Sequence, residues 1–168
     1  MYEEYTRQAL PERHYRELLG SALCAFNANN NFVIENILRN DDNQEYCWHS
    51  LIDLESGKLK PSIQKTISQK CGSSIEKLFS ELVVKRNRII HSFQITKDGQ
   101  QIPATKERER DGGKQFVITD DFLVDFIRDN ERLSSELHVL RGFKGLPNNC
   151  ALCPAGRTPA PVREIEMR

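Results

Sequence analysis

Residues 73–93 read SSIEKLFSELVVKRNRIIHSF. Ile75, Phe79, Leu82, Val83, Ile89 and Ile90 recur at the three-to-four-residue spacing of one helical side, so the stretch predicts an amphipathic helix with a buried stripe. Gly72 breaks the chain before it, and Ser73-x-x-Glu76 has the spacing of a capping box. The last turns then change character, with Lys85, Arg86, Asn87, Arg88 and His91 crowded into one helix end. After His91 the pattern becomes an alternation, Phe93-Gln94-Ile95-Thr96, which predicts a strand.

Upstream of this helix the same periodicity recurs. Pro11 suits a first helical turn, and Tyr15, Leu18, Leu19, Ala22, Leu23 and Phe26 form one stripe. Asn27, Asn29, Asn30 and Asn31 interrupt it before Val33, Ile34, Ile37 and Leu38 resume, which predicts a kinked helix or two helices in line. The polar run Arg39–Gln44 ends it. Residues 45–54 read as a second helix closed by Gly57, with Tyr46 and Trp48 assigned to the core. Pro61 opens a short helix that runs through Gln69.

Downstream, Asp98-Gly99 is a turn dipeptide, Lys106–Lys114 is polar, and Phe116-Val117-Ile118 returns to apolar residues. A small β-hairpin over about residues 93–118 is the reading, with Lys106, Arg108 and Arg110 in a solvated loop. Thr119 caps a final helix over Phe122, Leu123, Phe126, Ile127, Leu133, Leu137 and Leu140, and Gly142 stops it. The expected fold is therefore all-α: a bundle of four to five helices over residues 8–146, with a β-hairpin inserted before the last helix. Residues 147–168, rich in Pro, Asn and Gly, read as a flexible tail.

Composition narrows the function. In 168 residues, 24 Lys+Arg balance 24 Asp+Glu, which argues against a general nucleic-acid coater. No apolar run reaches the roughly 18 residues of a membrane span, and the charged opening MYEEYTRQAL lacks a signal-peptide core, so a cytoplasmic protein without membrane association is expected. The five cysteines are odd in number and scattered, as suits free thiols; Cys150-x-x-Cys153 has no second pair with which to complete a zinc site. The four histidines are dispersed and no nucleotide-binding loop is present, so neither a metal nor a cofactor is expected. The neutral total hides segregation: residues 56–97 carry nine Lys/Arg against two acids, while residues 120–136 carry six acids against two Arg.

Within that basic band, Arg86-Asn87-x-x-x-His91 resembles the R-x-x-x-x-H motif of HEPN-domain ribonucleases, including the polar residue after the arginine. The helix order is also similar: a long first helix, the motif near the end of a later one, and a further helix behind. The β-insertion departs from the minimal bundle. The resemblance implies a metal-independent endoribonuclease that leaves a 2′,3′-cyclic phosphate and a 5′-hydroxyl. It also implies a homodimer with a composite site, and often a toxin or phage-defence role with an antitoxin protein as partner.

The residue types allow that chemistry independently. Imidazole titrates near neutral pH and can take the ribose 2′-hydroxyl proton or protonate the leaving oxygen. The Arg86 guanidinium offers a planar fork of donors to phosphate oxygens. Asn87 is placed to orient the imidazole or the phosphate, Arg88 and Lys85 to bind substrate phosphates, and Glu35 on the first helix to orient His91 or Arg86. On an ideal helix Arg86 and His91 lie about 140° apart, so two copies around a two-fold axis are needed to aim both at one phosphate. The alternatives keep the residues structural: Arg86 as a solvated or ion-paired side chain, and His91 as a helix-dipole partner. The protein is then an inactive dimerisation module, an RNA- or protein-binding module, or the passive partner of a nucleotidyltransferase antitoxin.

Overall fold

The computed structural model describes residues 2–142. Three long helices carry the fold: α1 (Arg13–Arg39), α5 (Ser74–Ile90) and α6 (Asp120–Arg141). Three short ones, α2 (Trp48–Ile52), α3 (Lys60–Lys65) and α4 (Ile67–Cys71), fill the connection from α1 to α5. Strands β1 (Phe93–Lys97), β2 (Gln100–Lys106) and β3 (Gln115–Val117) form an antiparallel sheet in that order before α6. The architecture is mainly helical, as expected, but the predicted hairpin gains a third strand because Ala104, Thr105 and Lys106 also pair with Val117, Phe116 and Gln115.

Cross-contacts set the helix directions. Tyr15 meets Ile118, Asn29 meets Asn130 and Glu35 meets Arg141, so α1 and α6 run parallel. Ser74 meets Glu136 and Lys85 meets Asp129, so α5 runs antiparallel to both. Each long helix supplies one phenylalanine to the centre: Phe26 lies 6.2 Å from Phe79 and 6.1 Å from Phe126, both rings stacked and all three residues buried. Offset stacking of this kind adds about 0.5–1.5 kcal/mol per pair to the burial itself.

Several expectations change where tertiary contacts override local preference. The asparagine run does not divide α1, which is one continuous helix from Arg13 to Arg39. Asn29 is buried and donates through Nδ2 to the main-chain oxygen (2.6 Å) and side chain (3.1 Å) of Asn130, while Asn27 and Asn31 face solvent. Helix α2 is shorter than residues 45–54, since the Tyr46 amide donates to Asp41 Oδ2 at 2.8 Å rather than joining the helix. The helix expected from Pro61 to Gln69 is two helices, broken at Thr66, whose φ of −119° and ψ of −78° leave helical geometry. Ser73 caps α5 by position without a side-chain bond; Glu76 reaches Gln64 (2.9 Å) and Lys60 (3.4 Å) instead of closing a capping box. Trp48 is half exposed rather than core, as is Ile90, since the buried stripe of α5 ends on its neighbour Ile89 instead.

Other expectations hold. Asp98 and Gly99 both take positive φ (51° and 76°), which a two-residue hairpin turn requires. Thr119 Oγ1 accepts from the Phe122 amide at 3.2 Å, and Gly142 ends α6 at φ 81°. Cys24 and Cys47 are free, whereas Cys150, Cys153 and the expected tail lie outside the described residues. Among the described residues no helix is long and apolar enough to cross a membrane.

Candidate active site

The motif occupies the last turn and a half of α5 and the residue that caps it. Arg86 follows Phe79 by seven residues, about two turns, so it continues the buried stripe rather than leaving it. Its Cζ stands 5.3 Å from the Phe26 ring centroid, and its Nη1 donates to Asn87 Oδ1 at 3.0 Å. The Nε atom is buried and has no hydrogen-bond partner among the described residues. A guanidinium over an aromatic face is favourable by about 0.5–2 kcal/mol, which offsets part of the cost of drawing it toward the core.

His91 caps α5 at φ −95° and ψ 28°, its amide bonded to the Asn87 carbonyl at 3.0 Å, and the residue is exposed. It shares the outer side of α5 with Val84, Asn87 and Arg88, at the three- and four-residue steps of one face. Within one chain Arg86 is thus directed to the helix interface and His91 to solvent. Asn87 links the two, with its carboxamide holding Arg86 and its carbonyl holding the His91 amide.

The remaining sequence candidates separate. Arg88 is half-buried and pairs with no carboxylate among the described residues. Lys85 is tied across to α6 by a 2.6 Å contact with Asp129, so it acts as a helix-to-helix link in this structure. Glu35 is not brought to the motif. Its carboxylate is held by Arg39 (2.8 Å) and Arg141 (3.2 Å), at the end of α1 that lies beside the start of α5. Nine residues separate it from Phe26, about 13 Å along the helix and in the direction away from His91.

Glu35 instead lines a shallow groove of about 390 Å³ between α1 and α6, with Phe32, Ser134, His138 and Arg141. There the Arg141 guanidinium lies over Phe32 at 5.8 Å, and Phe32 packs against His138 at 4.6 Å between ring centroids. Sequence reading missed Phe26 as the seat of Arg86 and Asp129 as the partner of Lys85. The first had a signal in the seven-residue step from Phe79 to Arg86; the second is a long-range pairing with no local trace. Among the described residues no three His, Cys, Asp or Glu side chains converge as metal ligands would. No family model, curated protein or solved structure matches the chain.

Proposed function

We propose that the chain is a metal-independent endoribonuclease of the HEPN kind, working as a homodimer. One observation carries the reading. At the end of α5, Arg86, Arg88 and His91 stand within six residues, none with a carboxylate partner among the described residues, while the neighbouring Lys85 has one. Cationic donors beside an exposed imidazole suit an anionic substrate whose reaction needs proton transfer.

In this mechanism His91 of one copy takes the ribose 2′-hydroxyl proton. The 2′-oxygen attacks phosphorus, the bond to the 5′-oxygen breaks, and that oxygen takes a proton from His91 of the second copy. The products are a 2′,3′-cyclic phosphate and a 5′-hydroxyl. Arg88 and the outward edge of the Arg86 guanidinium balance the charge that builds on the phosphate, and Asn87 keeps Arg86 in place. A second copy is required because Arg86 and His91 leave α5 on different sides. A toxin or phage-defence role in the cytoplasm, held in check by an antitoxin protein, accords with this activity.

The test incubates the full chain with total RNA in EDTA. Cleavage is expected to persist and to fall at least about a hundredfold in His91→Ala, the usual contribution of a general acid–base group. Intact RNA, or cleavage indifferent to His91, would overturn the proposal. Light scattering should show a dimer, and a monomer rules out the composite site.

A second reading has a specific observation in its favour. Arg86 is turned onto Phe26 and bonded to Asn87, which suits an arginine that only braces the helix end. The protein is then a helical dimerisation or RNA-binding module without cleavage, and RNA retained but uncut by the wild-type chain would select it.

A further inference from the structure

The sheet that follows the motif has two unlike faces. Register pairs Phe93 with Ala104, Ala104 with Val117, and Ile95 with Ile102, so these five apolar side chains share one face. The opposite face carries Pro103, Thr105, Phe116 and Ile118. It packs onto the helices, with Ile118 fully buried and Phe116 5.9 Å from Phe122 of α6. The first face is closed at its middle, where Ala104 is buried, and opens at its leading residue, Phe93, which is 42 % exposed only two positions from His91. Ile90, beside it in sequence, is 49 % exposed. An aromatic ring left open at the mouth of a cationic helix end calls for an occupant.

Charge selects which one. Lys85 is matched by Asp129 and Arg86 lies over Phe26, but Arg88 and Lys97 pair with no carboxylate among the described residues and residues 82–97 contain no acid, so this surface favours an anion with flat apolar parts. Single-stranded RNA supplies both, as phosphates for the cations and bases for the ring. We propose that Phe93 is the stacking platform for a nucleobase next to the phosphate held at Arg88 and His91. The inference rests on the ribonuclease reading and deepens it: the substrate is unpaired at the cleavage point, since a base inside a duplex cannot reach the ring.

The test uses the full chain with 2′-O-methyl oligoadenylate and oligouridylate, which lack the attacking hydroxyl and report binding alone. Wild type should prefer the adenylate strand, whose base stacks more strongly. Phe93→Ala should weaken adenylate binding roughly tenfold and narrow that preference, in line with the loss of one base–aromatic stack. Phe93→Leu keeps the apolar bulk without the π-face and should weaken binding similarly, so a folding defect in the alanine variant does not decide the outcome. Phe93→Trp should retain binding. Wild type that binds both strands while Phe93→Ala and Phe93→Leu bind equally well overturns the stacking role alone. A variant that turns a dimer into a monomer also overturns it, by assigning the face to a second copy. A wild-type chain that neither binds nor cuts RNA overturns the ribonuclease reading, and the stacking role with it.

Discussion

Arg86 sits where the helical repeat calls for an apolar residue, and its surroundings show how a guanidinium is accommodated there. The flat group covers Phe26 while Asn87 satisfies one of its nitrogens. Arg86→Met retains the contact with Phe26 and removes the charge together with the hydrogen bond to Asn87. Its melting temperature should stay within a few degrees of wild type while RNA cleavage is lost; a large drop in melting temperature would mark the arginine as structural. Tyr15 offers a second residue with a definite partner. Pro103 lacks the amide that would complete the ladder pair with Ile118, whose own amide bonds the Pro103 carbonyl at 2.9 Å. The freed Ile118 carbonyl accepts instead from the Tyr15 hydroxyl at 2.9 Å, tying the sheet to α1. Burial, then the negative charge of Asp120, pushes the Tyr15 phenol up to about 12 from an ordinary value of 10.0. The folded state therefore holds this proton more tightly, and the associated stability, complete below pH 10, is lost as pH rises toward 12. Tyr15→Phe should cost about 1–3 kcal/mol at neutral pH by leaving a buried carbonyl unpaired. It should also flatten the alkaline part of the stability curve, which chemical denaturation across that pH range measures.

The elements obey local rules at their ends more than in their middles. α6 begins on a bonded Thr119 cap with Asp120 and Asp121 in its first turn, and ends on Gly142 in a left-handed conformation. Thr119→Ala should destabilise the fold by about 1 kcal/mol, while Thr119→Ser should be close to neutral in the same denaturant titration. The middle of α1 behaves differently. A run of asparagines that local propensity reads as a break persists as helix because the one buried member, Asn29, finds Asn130 across the interface. The α1–α6 hydrogen bonds replace what propensity withholds. Ser73-x-x-Glu76 shows the reverse case, in which a sound local signal is outbid: the glutamate is drawn to Gln64 and Lys60, and the helix starts in the right place without the box.

The molecule as a whole is organised around three stacked rings, one from each long helix. Phe26→Ala should cost about 3–5 kcal/mol, since the cavity opens between Phe79 and Phe126 and also removes the seat of Arg86. Equilibrium unfolding measures the loss, and a change below 1 kcal/mol would place the centre of the core elsewhere. Helix periods, turn dipeptides and caps are local properties, so the positions of α1, α5, α6, the Asp98-Gly99 turn and the Arg86–His91 cluster were legible along the chain. The third strand, the exposure of Trp48 and the breaking of the 61–69 helix at Thr66 were not, because each depends on what packs nearby. Charge segregation was legible too, but not its use: Lys85 belongs to the basic band and Asp129 to the acidic final helix, and only the antiparallel packing of α5 on α6 joins them. The same holds for the candidate site. Residue types and spacing gather Arg86, Asn87, Arg88 and His91 at the end of α5, since positions along a helix follow from a repeat of fixed period. Packing decides the rest: Arg86 turns inward onto Phe26, Glu35 is held at the other end of α1 by Arg141, and the sheet turns Phe93 outward. A side chain's direction within its own helix is set by covalent geometry, whereas what it meets there is set by residues distant in the chain.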